Sequence, residues 1–216
     1  MAHLNYTVYP KNIDYKPSVM MVLIHGYGSN ANDLITLAPD LMPHLNSAVI
    51  ISPSAPFKHE GGGGSGAYQW YSLLDRSPKA MLEGYGKAEV ILHQFLEAKL
   101  KEYNLTFSDL ILGGFSQGGM MALQYGTHSQ QPLKGVISCS GYIVDDGAFG
   151  KGINNKTPVL MTHGDQDGVV PPFAYHTSKE KLMSLGINVT GHLAKGVTHG
   201  IDYGCLTAIQ NFLKKL

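Results

Sequence analysis

Short apolar runs alternate with helix-like stretches along this chain, and that alternation restricts the fold more than any other feature. Val19–Ile24 and residues 48–51 are uninterrupted apolar runs, typical of strands buried on both faces of a sheet. Further strands are predicted at residues 110–112, 135–138, 158–162 and 187–193, with an edge strand at 4–9. Helices are predicted at residues 33–45, 79–103, 117–125, 173–185 and 201–216. This order indicates an α/β fold, with a mostly parallel central sheet and helices on both of its faces.

The first of these helices has signals both for its start and for an interruption. Asn30 and Asn32 precede it and belong to the residue types that cap helices. Pro39 and Pro43 lie inside it, and proline breaks a helix because it lacks an N–H and clashes with the preceding turn. We therefore expect a capped segment that is bent or broken near the two prolines.

The size and the charge of the chain limit its organisation and its partners. Its 216 residues, 44% of them hydrophobic, predict a single domain over residues 1–216 with no separate lid domain. Sixteen basic and 16 acidic side chains give a formal net charge of zero. Nucleic-acid binders usually have a basic patch, so we expect no nucleic-acid partner. A neutral substrate, or one bound in a small pocket, is the better expectation.

The sequence also favours a reduced, cytoplasmic protein. No stretch approaches the roughly 18 apolar residues that a membrane span requires, and the N-terminus lacks the pattern of a signal peptide. The two cysteines, Cys139 and Cys205, have neither metal-site nor disulfide-framework spacing. We therefore expect a cytoplasmic location, no stable membrane insertion and no bound metal.

A glycine-rich segment at residues 61–66 differs from the rest of the chain. Its composition is that of a flexible linker, either natural or engineered. Neither a lysine nor a helix follows it directly, which disfavours a phosphate-binding loop. We expect a loop at the rim of the molecule.

The segment Gly114-Phe115-Ser116-Gln117-Gly118 is the strongest chemical signal in the sequence. Gly-x-Ser-x-Gly is short and occurs by chance, but here it follows a predicted strand and precedes a predicted helix. That is the setting of a nucleophile elbow, a sharp turn at which bulky neighbours two residues away would collide. Ser116 is therefore the predicted nucleophile of a serine hydrolase with the α/β-hydrolase fold.

A serine nucleophile requires a base, and the base requires a carboxylate to orient it. In α/β-hydrolases the acid follows the serine along the chain, in a loop after a strand. Asp165 and Asp167 both lie in such a loop; Asp167 is favoured, and Asp165 is the structural alternative that would cap loop amides. Asp145 and Asp146 follow an earlier strand and are a weaker alternative.

Histidine is the expected base, and His199 is the candidate that both chain order and position select. It lies between the last predicted strand and the last predicted helix, and Gly200 leaves room beside its ring. His163 precedes the carboxylates at a strand end, where a buried structural histidine is expected, and His192 and His176 lie inside regular elements. His25 precedes Ser116, so we expect it to hold its loop by a hydrogen bond.

A tetrahedral intermediate requires two backbone N–H donors aimed at its oxyanion. The residue after the nucleophile, Gln117, supplies one. The loop after an early strand supplies the other, and here it contains Tyr27 between Gly26 and Gly28. Gln117 and Tyr27 are therefore the predicted oxyanion-hole residues.

These segments together resemble the carboxylesterase and acyl-protein thioesterase family, also described as phospholipase/carboxylesterase. The resemblance extends through nearly the whole chain, in the segments Leu23-Ile24-His25-Gly26-Tyr27-Gly28, Gln69-Trp70-Tyr71, Gly114-Phe115-Ser116-Gln117-Gly118-Gly119, Ser140-Gly141-Tyr142, His163-Gly164-Asp165-x-Asp167-x-x-Val170-Pro171 and His199-Gly200. It implies the triad Ser116, Asp167 and His199 and the oxyanion donors Tyr27 and Gln117. The family more often has leucine where this chain has Tyr27, but the chemistry uses only the backbone N–H.

The resemblance implies a cofactor-free hydrolase of short to medium acyl esters or thioesters. Alternatives within the family are lysophospholipase and acyl-protein thioesterase activities. A peptidase and a non-catalytic binding module are weaker readings, since no charged pocket for a peptide terminus is evident and the triad is intact. We expect Trp70, Tyr71 and Leu73 to line the acyl site, with Val169 and Val170 opposite. By analogy with some family members, we also expect that the chain can form a homodimer.

Overall fold

A seven-stranded, mostly parallel sheet forms the centre of the protein. The structure is a computed structural model that describes residues 4–62, 64, 66–153 and 155–216. The strands of the sheet are β1 (Tyr6–Tyr9), β2 (Val19–Ile24), β3 (Ala48–Pro53), β6 (Leu110–Phe115), β7 (Gly135–Cys139), β8 (Val159–Gly164) and β9 (Val189–Ala194). Their order is β1-β3-β2-β6-β7-β8-β9, and only the pairing of β1 with β3 is antiparallel. The predicted α/β fold is therefore confirmed.

Two further strands, β4 (Phe57–Lys58) and β5 (Tyr68–Gln69), form a separate antiparallel pair that was not predicted. Each has two residues, which is too short to show an alternating pattern. The glycine-rich segment 61–66 connects them, and two of its residues, Gly63 and Ser65, lie outside the described residues. The expected rim loop is thus described only in part.

Five α-helices cover the sheet within the described residues. They are α1 (Ala38–Leu41), α2 (Pro78–Tyr103), α3 (Gln117–His128), α4 (Pro172–Ser184) and α5 (Tyr203–Leu213). Short 3₁₀ turns at Leu34–Leu37 and Met42–His44 flank α1, as expected for a helix interrupted by two prolines. None of the described helices combines the length and the apolarity that a membrane span requires.

The predicted caps at Asn30 and Asn32 are wrong. The residue before the first 3₁₀ turn is Asp33, and its side chain accepts no capping hydrogen bond. Asn30 Oδ1 instead accepts from the backbone N–H of Asn32, at 2.9 Å. Asn32 Oδ1 accepts from the hydroxyl of Thr7, at 2.9 Å. Both amides therefore stabilise the loop between β2 and the first turn, rather than the turn itself.

Alternate residues of β2 show how the two faces of the sheet are buried. Met20, Val22 and Ile24 pack into one apolar cluster, which contains side chains from α2, α3 and α4. Their neighbours along the strand pack into a second cluster on the opposite face, which contains side chains from α1 and α5. A strand with both faces buried has no polar side of its own, so its uninterrupted apolar run follows directly from the two-layer covering.

The close approach of α3 to β2 provides a test of the packing around the elbow. A Cβ at Gly118 would lie 1.9 Å from the carbonyl oxygen of Ile24, so Gly118→Ala must displace one backbone segment. We expect the free energy of unfolding to fall by at least about 2 kcal/mol in urea denaturation.

Gly86→Ala is the matched control, because Gly86 lies inside α2 and a Cβ there meets nothing within 4 Å. This variant should gain about 0.5–1 kcal/mol of stability through helix propensity. Equal stability changes in the two variants would contradict the packing described here.

Candidate active site

Ser116 lies in a sharp turn between β6 and α3, at the carboxyl end of the sheet. Its backbone has φ 53° and ψ −118°, a left-handed conformation that costs a serine about 1–3 kcal/mol. The Ser116 N–H donates to the carbonyl of Cys139, 2.8 Å away, which ties the turn to β7. A Cβ at Gly114 would lie 2.2 Å from the Gly118 carbonyl oxygen, so the glycines of the motif are required by the turn itself.

His199 joins two of the predicted catalytic side chains by hydrogen bonds. It lies in the loop between β9 and α5, with Nε2 2.9 Å from Ser116 Oγ and Nδ1 2.7 Å from Asp167 Oδ2. A carboxylate only accepts, so Nδ1 carries the proton of the neutral ring and Nε2 is free to accept from the serine hydroxyl. The structure thus brings the three side chains together in one hydrogen-bonded chain.

Asp167 is held as a carboxylate by its surroundings. Its side chain is fully buried, and Oδ1 accepts from the backbone N–H groups of Val169 and Val170, each at 2.9 Å. Burial by itself would raise the pKa of Asp167, but the hydrogen bond to His199 and the two backbone donors outweigh it and lower the pKa. The group therefore stays negative beside the imidazole at neutral pH.

The alternative carboxylates have other partners. Asp165 Oδ1 accepts from the N–H of Gly196 at 2.6 Å, which fastens the loop that contains His199. Asp145 accepts from the N–H groups of Gly147 and Phe149 and pairs with Lys181. Both side chains hold loops and neither contacts an imidazole.

The alternative histidines fill structural positions. His163 is buried, and its Nε2 lies 2.9 Å from the carbonyl of Val170 and 3.5 Å from Asp167 Oδ2. It thus contacts the same carboxylate oxygen as His199, at a longer distance. His25 is also buried: Nε2 accepts from the N–H of Ala55 at 2.9 Å, and Nδ1 lies 2.7 Å from the Gly26 carbonyl. Burial lowers the pKa of His25, so it holds its loop as a neutral ring.

The loop after β2 lies directly against the elbow. A Cβ at Gly26 would lie 3.3 Å from Phe115 Cδ1 and 3.5 Å from Ser116 Cβ, so the two segments are in van der Waals contact. Within the described residues, the N–H groups of Tyr27 and Gln117 take no part in the hydrogen bonds of loops and turns. Gln117 begins α3 directly after Ser116, and Tyr27 lies in the neighbouring loop after β2, so their role as oxyanion donors stays a prediction.

A cavity of about 350 Å³ opens beside Ser116. Three of the residues predicted to contact substrate, Leu73, Val169 and Val170, line it. The prediction that Trp70 and Tyr71 also line it is wrong: they are 0% and 3% exposed and belong to the core beside α2. The sequence motif did not distinguish an aromatic side chain in a pocket from one packed behind it.

Trp70 instead supports the loop that contains Tyr27. Its indole N–H donates to the carbonyl of His25 at 3.0 Å, and its backbone N–H donates to Gln117 Oε1 at 2.9 Å. The Gln117 side-chain amide also donates to the carbonyl of Tyr71, at 2.8 Å. One glutamine therefore connects the helix after Ser116 to the segment behind the oxyanion loop, through its side chain as well as its backbone position.

Sequence reasoning missed Glu60, which lies beside the same loop. Its carboxylate accepts from the hydroxyl of Tyr27, from the side-chain amide of Gln69 and from the N–H of Leu73. Desolvation would raise the pKa of Glu60, but these donors, together with Ser72, lower it to about 2. The Tyr27 phenol is thereby fixed to a residue 33 positions along the chain, and no motif could have indicated so long-range a contact.

His192, Asp202 and Cys205 bring possible metal-ligand atoms within 4.8 Å of one another. Asp202 is already the N-terminal cap of α5, accepting from the N–H of Cys205 at 2.8 Å. Burial raises the pKa of the Cys205 thiol to about 11, which disfavours the thiolate that a metal requires. The absence of a metal from the chemistry stays a prediction.

The fold and this arrangement of side chains define an α/β-hydrolase. The family model for phospholipase/carboxylesterase proteins matches residues 11–216, and the chain belongs to that family. Acyl-protein thioesterase 1 of Neurospora crassa is 28% identical over 207 residues, covering 89% of this chain and 84% of that protein. The acyl-protein thioesterase 1 homolog 1 of Dictyostelium discoideum is 29% identical, covering 92% of this chain and 90% of that protein.

Solved structures agree with this assignment. The crystal structure of esterase PE8 is 36% identical in sequence, with a TM-score of 0.91 and coverage of 98% of each chain. The Bacillus cereus carboxylesterase, at 19% identity, shares the fold with a TM-score of 0.81 and covers 99% of this chain and 95% of that one. The protein is therefore a hydrolase of the esterase and thioesterase kind.

Trp70→Phe tests whether this side chain supports the oxyanion loop or contacts substrate. The variant keeps most of the buried ring but leaves the His25 carbonyl without its donor. We expect kcat to fall by about tenfold for acetate, butyrate and hexanoate esters alike, with KM nearly unchanged. A change confined to one chain length, in steady-state assays of the three esters, would contradict the supporting role.

Proposed function

We propose that the protein is a serine esterase or thioesterase that cleaves short to medium acyl chains through an acyl-enzyme on Ser116. The observation that supports this most strongly is the hydrogen-bonded chain from Ser116 through His199 to Asp167. Each of the three follows a different strand at the same edge of the sheet, where the chemistry of such folds is found. No other histidine among the described residues lies within hydrogen-bonding distance of Ser116.

In the proposed first half-reaction, His199 Nε2 removes the proton of Ser116 as Oγ bonds to the substrate carbonyl carbon. The carbonyl oxygen takes the electron pair, and the N–H groups of Tyr27 and Gln117 stabilise the resulting oxyanion. When the carbonyl reforms, the bond to the alcohol or thiol breaks and His199 returns the proton to the leaving group. Asp167 stabilises the imidazolium throughout, without itself taking the proton.

In the second half-reaction, water takes the place of the alcohol. His199 removes a proton from the water as its oxygen bonds to the acyl carbon, and an oxyanion forms again at the same donors. Collapse of this intermediate releases the carboxylic acid and returns the proton to Ser116. The two halves use the same groups in the same positions, so no cofactor is required.

The size and lining of the cavity support the proposed substrate class. A volume of about 350 Å³ is near the lower end of small-molecule sites, which suits a short to medium acyl chain. Val170, Met120 and Leu73 provide apolar walls beside Ser116. The acyl-protein thioesterases named above favour a thioester as the alternative substrate, and a peptide would require a longer cleft.

The test compares Ser116→Ala, Asp167→Asn and Asp165→Asn in the hydrolysis of 4-nitrophenyl acetate and butyrate. Ser116→Ala should lower kcat by at least about 10³-fold, and Asp167→Asn by about 10⁴-fold because the imidazole loses its orienting carboxylate. Asp165→Asn is the matched control, since the amide oxygen can still accept from Gly196. Its activity should stay within about twofold of the unmodified protein.

Undiminished turnover in Ser116→Ala would contradict the proposal. Equal losses in the two aspartate variants would contradict the assignment of Asp167. Circular dichroism of each variant establishes that a loss of activity is not a loss of fold.

A further inference from the structure

Arg76 is the only arginine among the 216 residues, and it lines the cavity that contains Ser116. All the other basic residues are lysines, and none of them contributes to this lining. Among the described residues, no aspartate or glutamate lines the cavity either. The lining of the cavity therefore contains one permanent positive charge. The two carboxylates of the site, Asp167 behind His199 and Glu60 beside Leu73, lie outside this lining and accept hydrogen bonds from other groups.

The guanidinium of Arg76 keeps most of its hydrogen-bonding capacity. Within the described residues no carboxylate forms a salt bridge with it, and its one hydrogen bond is from Nε to the carbonyl of Leu73, at 3.4 Å. The adjacent Asp75 accepts from the N–H of Ser77 at 2.8 Å, which directs that carboxylate to the start of α2. The terminal nitrogens of Arg76 are thus available to a ligand.

The surroundings of Arg76 strengthen any charge–charge contact made inside the cavity. Arg76 is itself exposed, at the rim, and Leu73, Met120, Val170 and Phe173 give the cavity an apolar wall, beside which a Coulombic attraction is screened less than in open water. The charge also acts on Tyr142, which shares the cavity: burial raises the pKa of this phenol, and Arg76 opposes the increase. Arg76 has the same effect on Tyr27, in the loop beside Ser116.

We propose that Arg76 is a specificity-determining residue that binds a carboxylate of the substrate. On this account the preferred esters have a free carboxylate in either their acyl or their alcohol part, within reach of Arg76 while the scissile carbonyl lies at Ser116. A guanidinium matches the planar geometry of a carboxylate, and its single charge balances a monoanion. The inference rests on the proposed function, and it refines the expectation of a neutral substrate that the net charge of the chain suggested.

Such a contact is made away from the reacting atoms, so it acts on binding more than on chemistry. An interaction equally strong in the bound substrate and in the transition state lowers KM and leaves kcat unchanged. Arg76 is therefore expected to affect KM for carboxylate-bearing esters only. A purely structural role, through the hydrogen bond to Leu73, would affect neutral and anionic esters alike.

The experiment uses two pairs of esters in which a carboxylate is replaced by an isosteric carboxamide. Monoethyl succinate and ethyl succinamate place the group in the acyl part, and 3-acetoxybenzoate and 3-acetoxybenzamide place it in the alcohol part. The variants are Arg76→Gln, which removes the charge, Arg76→Lys, which keeps it without the planar fork, and Lys79→Gln, the control. Lys79 is an exposed cation in the first turn of α2, outside the cavity.

Arg76→Gln should raise KM about tenfold for the carboxylate member of at least one pair and change the carboxamide member by less than about twofold. The KM of Arg76→Lys for the carboxylate ester should lie between those of the unmodified protein and Arg76→Gln. Lys79→Gln should have the same KM values as the unmodified protein. Raising the salt concentration from about 0.05 M to about 0.5 M should reduce the preference of the unmodified protein for the anionic ester.

The inference would be overturned if Arg76→Gln changed KM equally for the carboxylate ester and the carboxamide ester of both pairs. It would also be overturned if the unmodified protein had the same KM for the two esters of each pair. Ser116→Ala separates this failure from failure of the proposed function. Ester hydrolysis that persists in Ser116→Ala would contradict the proposed mechanism. If Ser116→Ala is inactive and Arg76→Gln changes KM equally for both esters of each pair, only the proposed substrate class is contradicted.

Discussion

The contact between the start of α3 and the end of β2 is the constraint on which the site depends. Only a glycine at position 118 lets the helix approach the Ile24 carbonyl so closely. Ser116, two residues earlier, has a left-handed conformation in the same turn, and the first turn of α3 thereby lies beside the end of β2. One packing contact between backbone segments thus joins the helix that follows the nucleophile to the strand that precedes the Tyr27 loop.

A buried polar network behind the site holds this arrangement. Trp70 donates to the His25 carbonyl and to the Gln117 side chain, and the remaining polar groups of His25 and Gln117 bond to neighbouring backbone. All three residues are fully buried. Because a buried polar group without a partner costs about 1–3 kcal/mol, such a network tolerates few alternative geometries. These bonds fasten the loop that contains Tyr27 to the core and to the start of α3.

Much of the fold and of the site could be predicted because the signals are local. Buried parallel strands show as apolar runs, and the side chains that follow them along the chain meet at one edge of the sheet. Ser116, Asp167 and His199 are predictable in this way, and His199 forms hydrogen bonds with each of the other two, although their roles stay predictions.

What could not be predicted depends on contacts between distant segments. The burial of Trp70 requires the packing of α2 against the core, and the attachment of Tyr27 to Glu60 joins residues 33 positions apart. The position of Arg76 in the cavity is of the same kind. A lone arginine before a helix has no sequence pattern of its own, and only the folded chain shows that it lies beside Ser116.

The most direct test of the central claim is covalent labelling with a fluorophosphonate, followed by mass spectrometry of the intact protein and of its peptides. The account predicts one adduct per chain, on the peptide that contains Ser116, and no adduct in Ser116→Ala. An adduct on another serine, or an unlabelled protein that still hydrolyses esters, would contradict it.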